Sequence, residues 1–269
     1  MKFSLTNNPD ATEIELFADL KVPRVAATFV AEGEKVVVRL LESKLEIISL
    51  YLTEDHFTSK REQIESHIQS SEAKIIISSK SEMEKIVGFP LHQGILASAK
   101  IPKERPIGEI IRESAKPLLY VMLDEIVDAE NMGAIYRTAL AMGVTAVIVD
   151  PKSISPWIRR AVRVSIGAVF SLPMVTVPSL HTAIDDLRRQ GITVYATTLN
   201  PMAPTLSDSD LSGDLAFIFG SEGRGVKPGI VSAAGKELTI PMPHGVDSLN
   251  VAVAQGIFLY EAYRQRRLL

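Results

Sequence analysis

The chain has no cysteine among its 269 residues, which removes disulfide frameworks, thiolate metal sites and any mechanism that needs a covalent cysteine nucleophile. It also lacks an excess of charge. Its 29 Lys and Arg stand against 32 Asp and Glu, a formal net charge of -3, so any grip on a polyanion must come from a local basic patch. No apolar stretch approaches the roughly 20 residues of a membrane span. The opening MKFSLTNNPDATEIE meets polar and acidic side chains before an apolar run could form a signal peptide. A cytoplasmic protein with no membrane contact is expected. Its five histidines, His56, His67, His92, His181 and His244, show no metal-ligand spacing, so no catalytic metal is expected.

What is present is 46% apolar and 23% charged residues, a composition able to bury a core. A short helix is expected from about Asp10 to Lys21. From Phe29, Val30 and Ala31 onward, short apolar runs alternate with amphipathic segments, an α/β pattern. Helices are predicted near Glu34 to Ser43, Thr58 to Gln69 and Glu82 to Val87, with strands at Ile47 to Leu52, Lys74 to Ile77 and Gly94 to Ala99. Pro102, Pro106 and Pro117 then bracket a charged stretch. That stretch reads as a linker over 101–117, between a domain of residues 1–100 and another of 118–269. In the second, strands are predicted at Leu118 to Leu123, Ala146 to Val149, Met174 to Val177, Thr193 to Thr197, Leu215 to Phe219 and Glu237 to Ile240. Helical patterns separate most of them, as a mainly parallel sheet requires. A terminal helix is expected from Ser248 to about Arg267, with Asp247 and Ser248 as caps.

Three segments carry candidate chemistry. In Asn131-Met132-Gly133-Ala134-Ile135-Tyr136-Arg137 a strand leads into an apolar helix. Six residues turn a helix by roughly 240°, so Asn131 and Arg137 cannot share one face, and Asn131 is expected in the loop or at the cap. Taken alone, these residues fit an ordinary capped helix with a solvated Arg better. Phe217-Ile218-Phe219-Gly220-Ser221-Glu222-Gly223-Arg224-Gly225 places a glycine loop and a carboxylate at the end of a buried-looking strand, where open α/β sheets bind ligands. A P-loop would need Lys and then Ser or Thr after the last glycine, and a dinucleotide fingerprint would follow the first strand; neither fits, while a plain tight turn stays open. Third, Ile240-Pro241-Met242 is followed by Ser248-Leu249-Asn250, hydrogen-bonding groups at a helix start that serve equally as caps. Separately, Trp157-Ile158-Arg159-Arg160-Ala161-Val162-Arg163 offers a basic helix face to phosphates, or simply a solvated one.

Taken in order, the three segments resemble the motifs of the SpoU (TrmH-like) branch of the SPOUT RNA 2′-O-ribose methyltransferases. The resemblance covers residues 118 to 269 and extends more loosely to 22 to 100, where Phe29-Val30-Ala31-Glu32-Gly33 and Gln93-Gly94-Ile95 look like the opening and close of a ribosomal-protein-like RNA-binding domain. It implies a SPOUT domain with a deep trefoil knot and a homodimer. It also implies methyl transfer from S-adenosylmethionine to a ribose 2′-hydroxyl of tRNA or rRNA; no DNA is expected. Carried over by position, Arg137, Asn131, Glu222, Ser248 and Asn250 would be catalytic. Gly220, Ile240, Met242 and Leu249 would bind the cofactor, and Arg159, Arg160 and Arg163 would contact RNA. Arg137 would grip the adjacent phosphate and the reacting oxygen, with Glu222 orienting Arg137 or Asn131; a guanidinium is a poor literal base. Base methylation on the same scaffold and a non-catalytic RNA-binding assembly factor are the alternatives.

Overall fold

A computed structural model of the chain describes residues 5–6, 14–18, 27–68, 73–243 and 248–267. Most of the helix expected from Asp10 to Lys21, and the loop holding His244 and Asp247, lie outside them. The chain divides into two compact units. The first is Met1–Lys103 with Pro156–Ser171, the second Glu104–Ser155 with Leu172–Leu269.

The first unit contains strands β1 (Leu5–Thr6), β2 (Thr28–Glu32), β3 (Ile47–Leu52), β4 (Lys74–Ile77) and β5 (Ile95–Lys100), with helices α1 (Glu34–Leu41), α2 (Glu54–Ile68) and α3 (Lys80–Val87). Their sheet order is β1-β4-β3-β5-β2, mixed in direction. Helix α1 buries Val36, Val37, Leu40 and Leu41, one face at helical spacing. Helix α3 begins earlier than its apolar periodicity suggests because Ser79 and Glu82 form a reciprocal capping box.

The second unit opens with α4 (Ile107–Glu113), a helix inside the stretch expected to be a linker. Ile110 is buried and Ile107 and Ile111 pack beside it against the core, so the segment has an apolar face despite its flanking prolines. Then follow β6 (Leu119–Asp124), α5 (Ala129–Ala141) and β7 (Ala146–Val149). After α6 (Arg159–Val164), which belongs to the first unit, come β8 (Met174–Thr176), α7 (Leu180–Arg189), β9 (Thr193–Thr197), β10 (Leu215–Gly220), α8 (Pro228–Ala234), β11 (Glu237–Leu238) and α9 (Val251–Arg267).

The sheet of the second unit runs β11-β9-β10-β6-β7-β8 with every pairing parallel. Strands β6 and β10 are buried at every position, the continuous apolar reading of strands covered on both faces. From β6 the chain leaves to one side for β7 and β8 and returns to the other for β9 to β11. Parallel sheets bind ligands at the carboxyl ends of the strands flanking such a reversal. Here those strands are β6 and β10, paired so that Asp124 lies opposite Gly220. The loops after both therefore start side by side.

Helix α9 packs on α5. Gln255 donates to the Ile135 carbonyl at 3.2 Å, and a Cβ on Gly256 would sit 3.6 Å from Thr138 Cγ2, so the small residue permits a close approach. At the other end, Arg266 donates to the carbonyls of Leu118, Leu211 and Gly213, which spends this cation on the fold. Among the described residues no helix is long and apolar enough to cross a membrane.

Candidate active site

The loop after β6 is fixed by buried carboxylates. Asp150 accepts the amides of Glu125 (3.0 Å), Lys152 (3.2 Å) and Ser153 (3.0 Å). Glu125 takes φ 57°, a left-handed conformation rare outside glycine. It holds there because its amide is bonded to Asp150 and its carboxylate meets Lys152 at 3.0 Å and Lys227 at 2.8 Å. Those two ammonium groups, Lys227 first, pull the Glu125 pKa down to about 2. Lys227 also ties β10's following segment to β6, its ammonium and its amide both donating to the buried Asp124 (3.0 and 2.9 Å).

Asp128 then caps α5, accepting from the amides of Glu130 (2.8 Å) and Asn131 (2.9 Å). The helix thus starts before Asn131, not at it. Asn131, expected in the loop or at the cap, is the third residue of α5 and is buried. The Asp-x-x-Asn spacing of residues 128–131 carried that signal.

Held in the first turn, the Asn131 side chain donates to Glu222 Oε1 at 2.9 Å. Asn250 Nδ2 donates both to Asn131 Oδ1 (2.9 Å) and to Glu222 Oε1 (2.6 Å). These three residues, one from each candidate segment, close a triangle of hydrogen bonds. The Asn250 side-chain Oδ1 accepts from the amides of Ala252 (2.9 Å) and Val253 (3.3 Å), so Asn250, rather than Ser248, caps α9. That cap orients every amide in the set. With Oδ1 turned to the helix, Asn250 can only donate toward the site, so Asn131 must accept from it and donate to the carboxylate.

Glu222 sits in a tight loop closed by the Gly225 amide on the Ser221 carbonyl at 2.8 Å, with Gly225 at φ 64°. Gly220 is required here, because a Cβ would fall within 3.0 Å of the Gly225 carbonyl and the Val226 amide. Against this loop lies a cavity of about 530 Å³, within the range of small-molecule sites, roughly 300–1,000 Å³. Gly220, Ile240, Met242 and Leu249, the residues expected to bind a cofactor, all line it, as do Glu222 and Ser248. Phe219 and Phe258 supply apolar wall, while Thr198 brings a buried hydroxyl with no hydrogen-bond partner among the described residues. An unsatisfied hydroxyl beside glycine-loop amides and aliphatic surface suits a flat, partly polar ligand such as an adenosine. Nothing in the spacing singled out Thr198.

Arg137 is elsewhere. Six residues after Asn131, about 9 Å along the helix, it is exposed, lines neither cavity beside Glu222, and has no partner among the described residues. Of the two alternatives, Glu222 orienting Arg137 or Asn131, the geometry has the second: Glu222 holds Asn131, together with Asn250. The basic stripe of Arg159, Arg160 and Arg163 changes in reading too. Arg159 pairs with the buried Glu32 and lies over the Phe89 ring at 4.2 Å, and Arg163 stands 3.6 Å from Glu32. A carboxylate that far from water needs such compensation. Arg160 is exposed.

Residues 118–260 match the family described as SpoU rRNA Methylase, and residues 30–105 match the RNA 2′-O ribose methyltransferase substrate-binding family. The 23S rRNA (guanosine-2′-O-)-methyltransferase RlmB of Coxiella burnetii is 33% identical over 225 residues, covering 82% of this chain and 88% of that protein. Its counterpart in Vibrio vulnificus is 38% identical over 178 residues, covering 65% and 71%. The crystal structure of an AdoMet-bound rRNA methyltransferase from Sinorhizobium meliloti shares the fold, with a TM-score of 0.82 at 24% identity over 99% of each chain.

Proposed function

The chain belongs to the SpoU rRNA methylase family, as an S-adenosylmethionine-dependent RNA ribose 2′-O-methyltransferase, and on that premise we propose that its substrate is a guanosine of ribosomal RNA. The relatives named for 23S rRNA guanosine support this choice over tRNA. The observation that carries the site assignment is the Asn131–Glu222–Asn250 triangle bordering the cavity of about 530 Å³.

Bound S-adenosylmethionine supplies an electrophilic methyl group. The cavity's aliphatic residues Ile240, Met242 and Leu249, the amides after Gly220 and the Thr198 hydroxyl would hold it. The chain's own task is to position a 2′-hydroxyl and stabilise its oxygen as the proton leaves. Glu222 accepts two N–H groups on Oε1, so its Oε2 would be the oxygen left to accept from the hydroxyl, and Ser248, which lines the cavity, would orient the ribose.

Arg137 is the remaining catalytic candidate, and one chain leaves it outside the site. A homodimer resolves this. Leu140 on α5 and Val253, Ile257 and Tyr260 on α9 are exposed apolar side chains, the last three spaced four and three residues apart on one stripe of a helix packed against α5. A two-fold contact on this face would bring Arg137 toward the partner's triangle. The convergence of residues 197–199 and 219–226 with Ile240, Met242, Ser248 and Leu249 around one cavity supports a trefoil knot there. Of the three arginines on α6, Arg160 is the one proposed to face RNA. A cytoplasmic location is part of this reading, since the named relatives are bacterial and modify ribosomal RNA. Mapping ribose methylation in ribosomal RNA from cells with and without the gene tests the proposal. Loss of one 2′-O-methylguanosine is expected; an unchanged methylation map would sink it.

A further inference from the structure

A second cavity, of about 560 Å³, lies on the other side of the Glu222 loop. Ser221, Glu222, Gly223 and Arg224 form a wall common to both cavities, and the far side is built from the 125–128 loop, Asn131 and Lys152. An acceptor hydroxyl has to approach a methyl donor in line, from a site that adjoins the donor's without overlapping it. The shared wall meets that requirement.

The charged groups facing this cavity are Glu125, Asp128, Glu222, Lys152 and Arg224. Each carboxylate already has local partners. Glu125 holds two lysines, Asp128 caps α5, and Glu222 accepts from Asn131 and Asn250. The cations keep spare donors. Lys152 is 73% exposed with one carboxylate partner for three N–H groups, and the Arg224 guanidinium has no partner among the described residues. Val127, 66% exposed, adds an apolar surface on the same side. Spare cationic donors at the rim, an apolar face and a hydrogen-bonding wall match the three parts of a nucleotide: phosphate, base and ribose.

Resting on the methyl-transfer reading above, we propose that this second cavity seats the target nucleotide, with Lys152 and Arg224 on its flanking phosphates and Val127 against its base.

Lys152→Gln and Val127→Asp test it, since both positions are exposed and line the second cavity only. The acceptor is ribosomal RNA from a strain lacking the gene, with S-adenosylmethionine as donor. Each variant is expected to raise the KM for RNA about 10-fold, and Lys152→Gln to lower the slope of log KM against log salt by about 1. The Kd for S-adenosylmethionine, measured by calorimetry, should stay within about 2-fold of wild type, which also reports folding. Wild-type RNA KM and salt slope in both variants would overturn the assignment. So would a cofactor Kd that rises as much as the RNA KM. If the wild-type protein itself leaves that RNA's ribose unmethylated, the underlying reading falls instead.

Discussion

Asn250 and Glu222 lie 2.6 Å apart, amide to carboxylate, while the carbonyl of the same Asn250 caps the last helix. One side chain therefore serves both the site and the fold. Asn250→Asp separates the two uses, because an aspartate still caps but sets a second carboxylate against Glu222. Adjacent like charges raise carboxyl pKa values above their unfolded ones. Stability present below the unfolded pKa is then lost as pH rises through the raised value. The fall in Tm relative to wild type should be larger at pH 7 than at pH 5, and methyl transfer at neutral pH should drop about 10²-fold. Equal Tm deficits at both pH values would refute the contact.

Arg137→Ala should reduce methyl transfer about 10²- to 10³-fold while the Kd for S-adenosylmethionine stays near wild type, since Arg137 does not line the cofactor cavity. Arg137→Lys should recover little of it, because a point charge lacks the planar fork. Turnover at the wild-type rate in the alanine variant would remove Arg137 from the mechanism.

Gly220→Ala forces a methyl group onto the Gly225 and Val226 backbone. Calorimetry should show cofactor affinity weakened by at least about 10-fold, as displacing the loop costs on the order of 1–3 kcal/mol. Gly213→Ala, in open space and without a positive φ, is the control expected to bind normally. Matching affinities in the two variants would contradict the tight loop.

Glu125 is held to about pH 2 by Lys227 and Lys152. Its folded pKa is depressed, so its contribution to stability is complete above the unfolded value, roughly 4.3, and is lost as pH falls toward 2. Thermal melts of Glu125→Gln and wild type should differ most above pH 4.5 and converge in acid. A gap that widens as pH drops would reverse the sign and disprove the pairing.

Much of the fold was legible where short apolar runs have sharp polar edges. Strands at 47–52, 74–77, 146–149 and 193–197 fall where the sequence puts them. Helix α4 escaped because Pro106 and Pro117 read as linker punctuation, although Pro106 directly precedes the first helical residue and Ile107, Ile110 and Ile111 make a helical face. In the site, the identities of Asn131, Glu222 and Asn250 were readable from their segments, but their mutual bonding was not, since 91 and 119 residues separate Asn131 from the other two. The pairing of Arg159 and Arg163 with a carboxylate was not legible for the same reason. Their partner Glu32 lies 127 residues from Arg159, and a local charge pattern carries no trace of a distant buried carboxylate.

The excursion of Pro156–Ser171 into the first unit sets an order of synthesis. Trp157 and Phe170 pack on Phe29 with ring centroids 4.9 and 5.4 Å away, and the two arginines neutralise Glu32. A nascent chain stopped at Lys103 would hold Glu32 without its cations, a defect of about 3–5 kcal/mol against a whole-domain margin of about 5–15 kcal/mol. The amino-terminal unit thus reaches its full stability only once residue 171 has left the ribosome, after β6, α5 and β7 have been made. Translation through the segment of Asn131 comes before the unit upstream of it is finished.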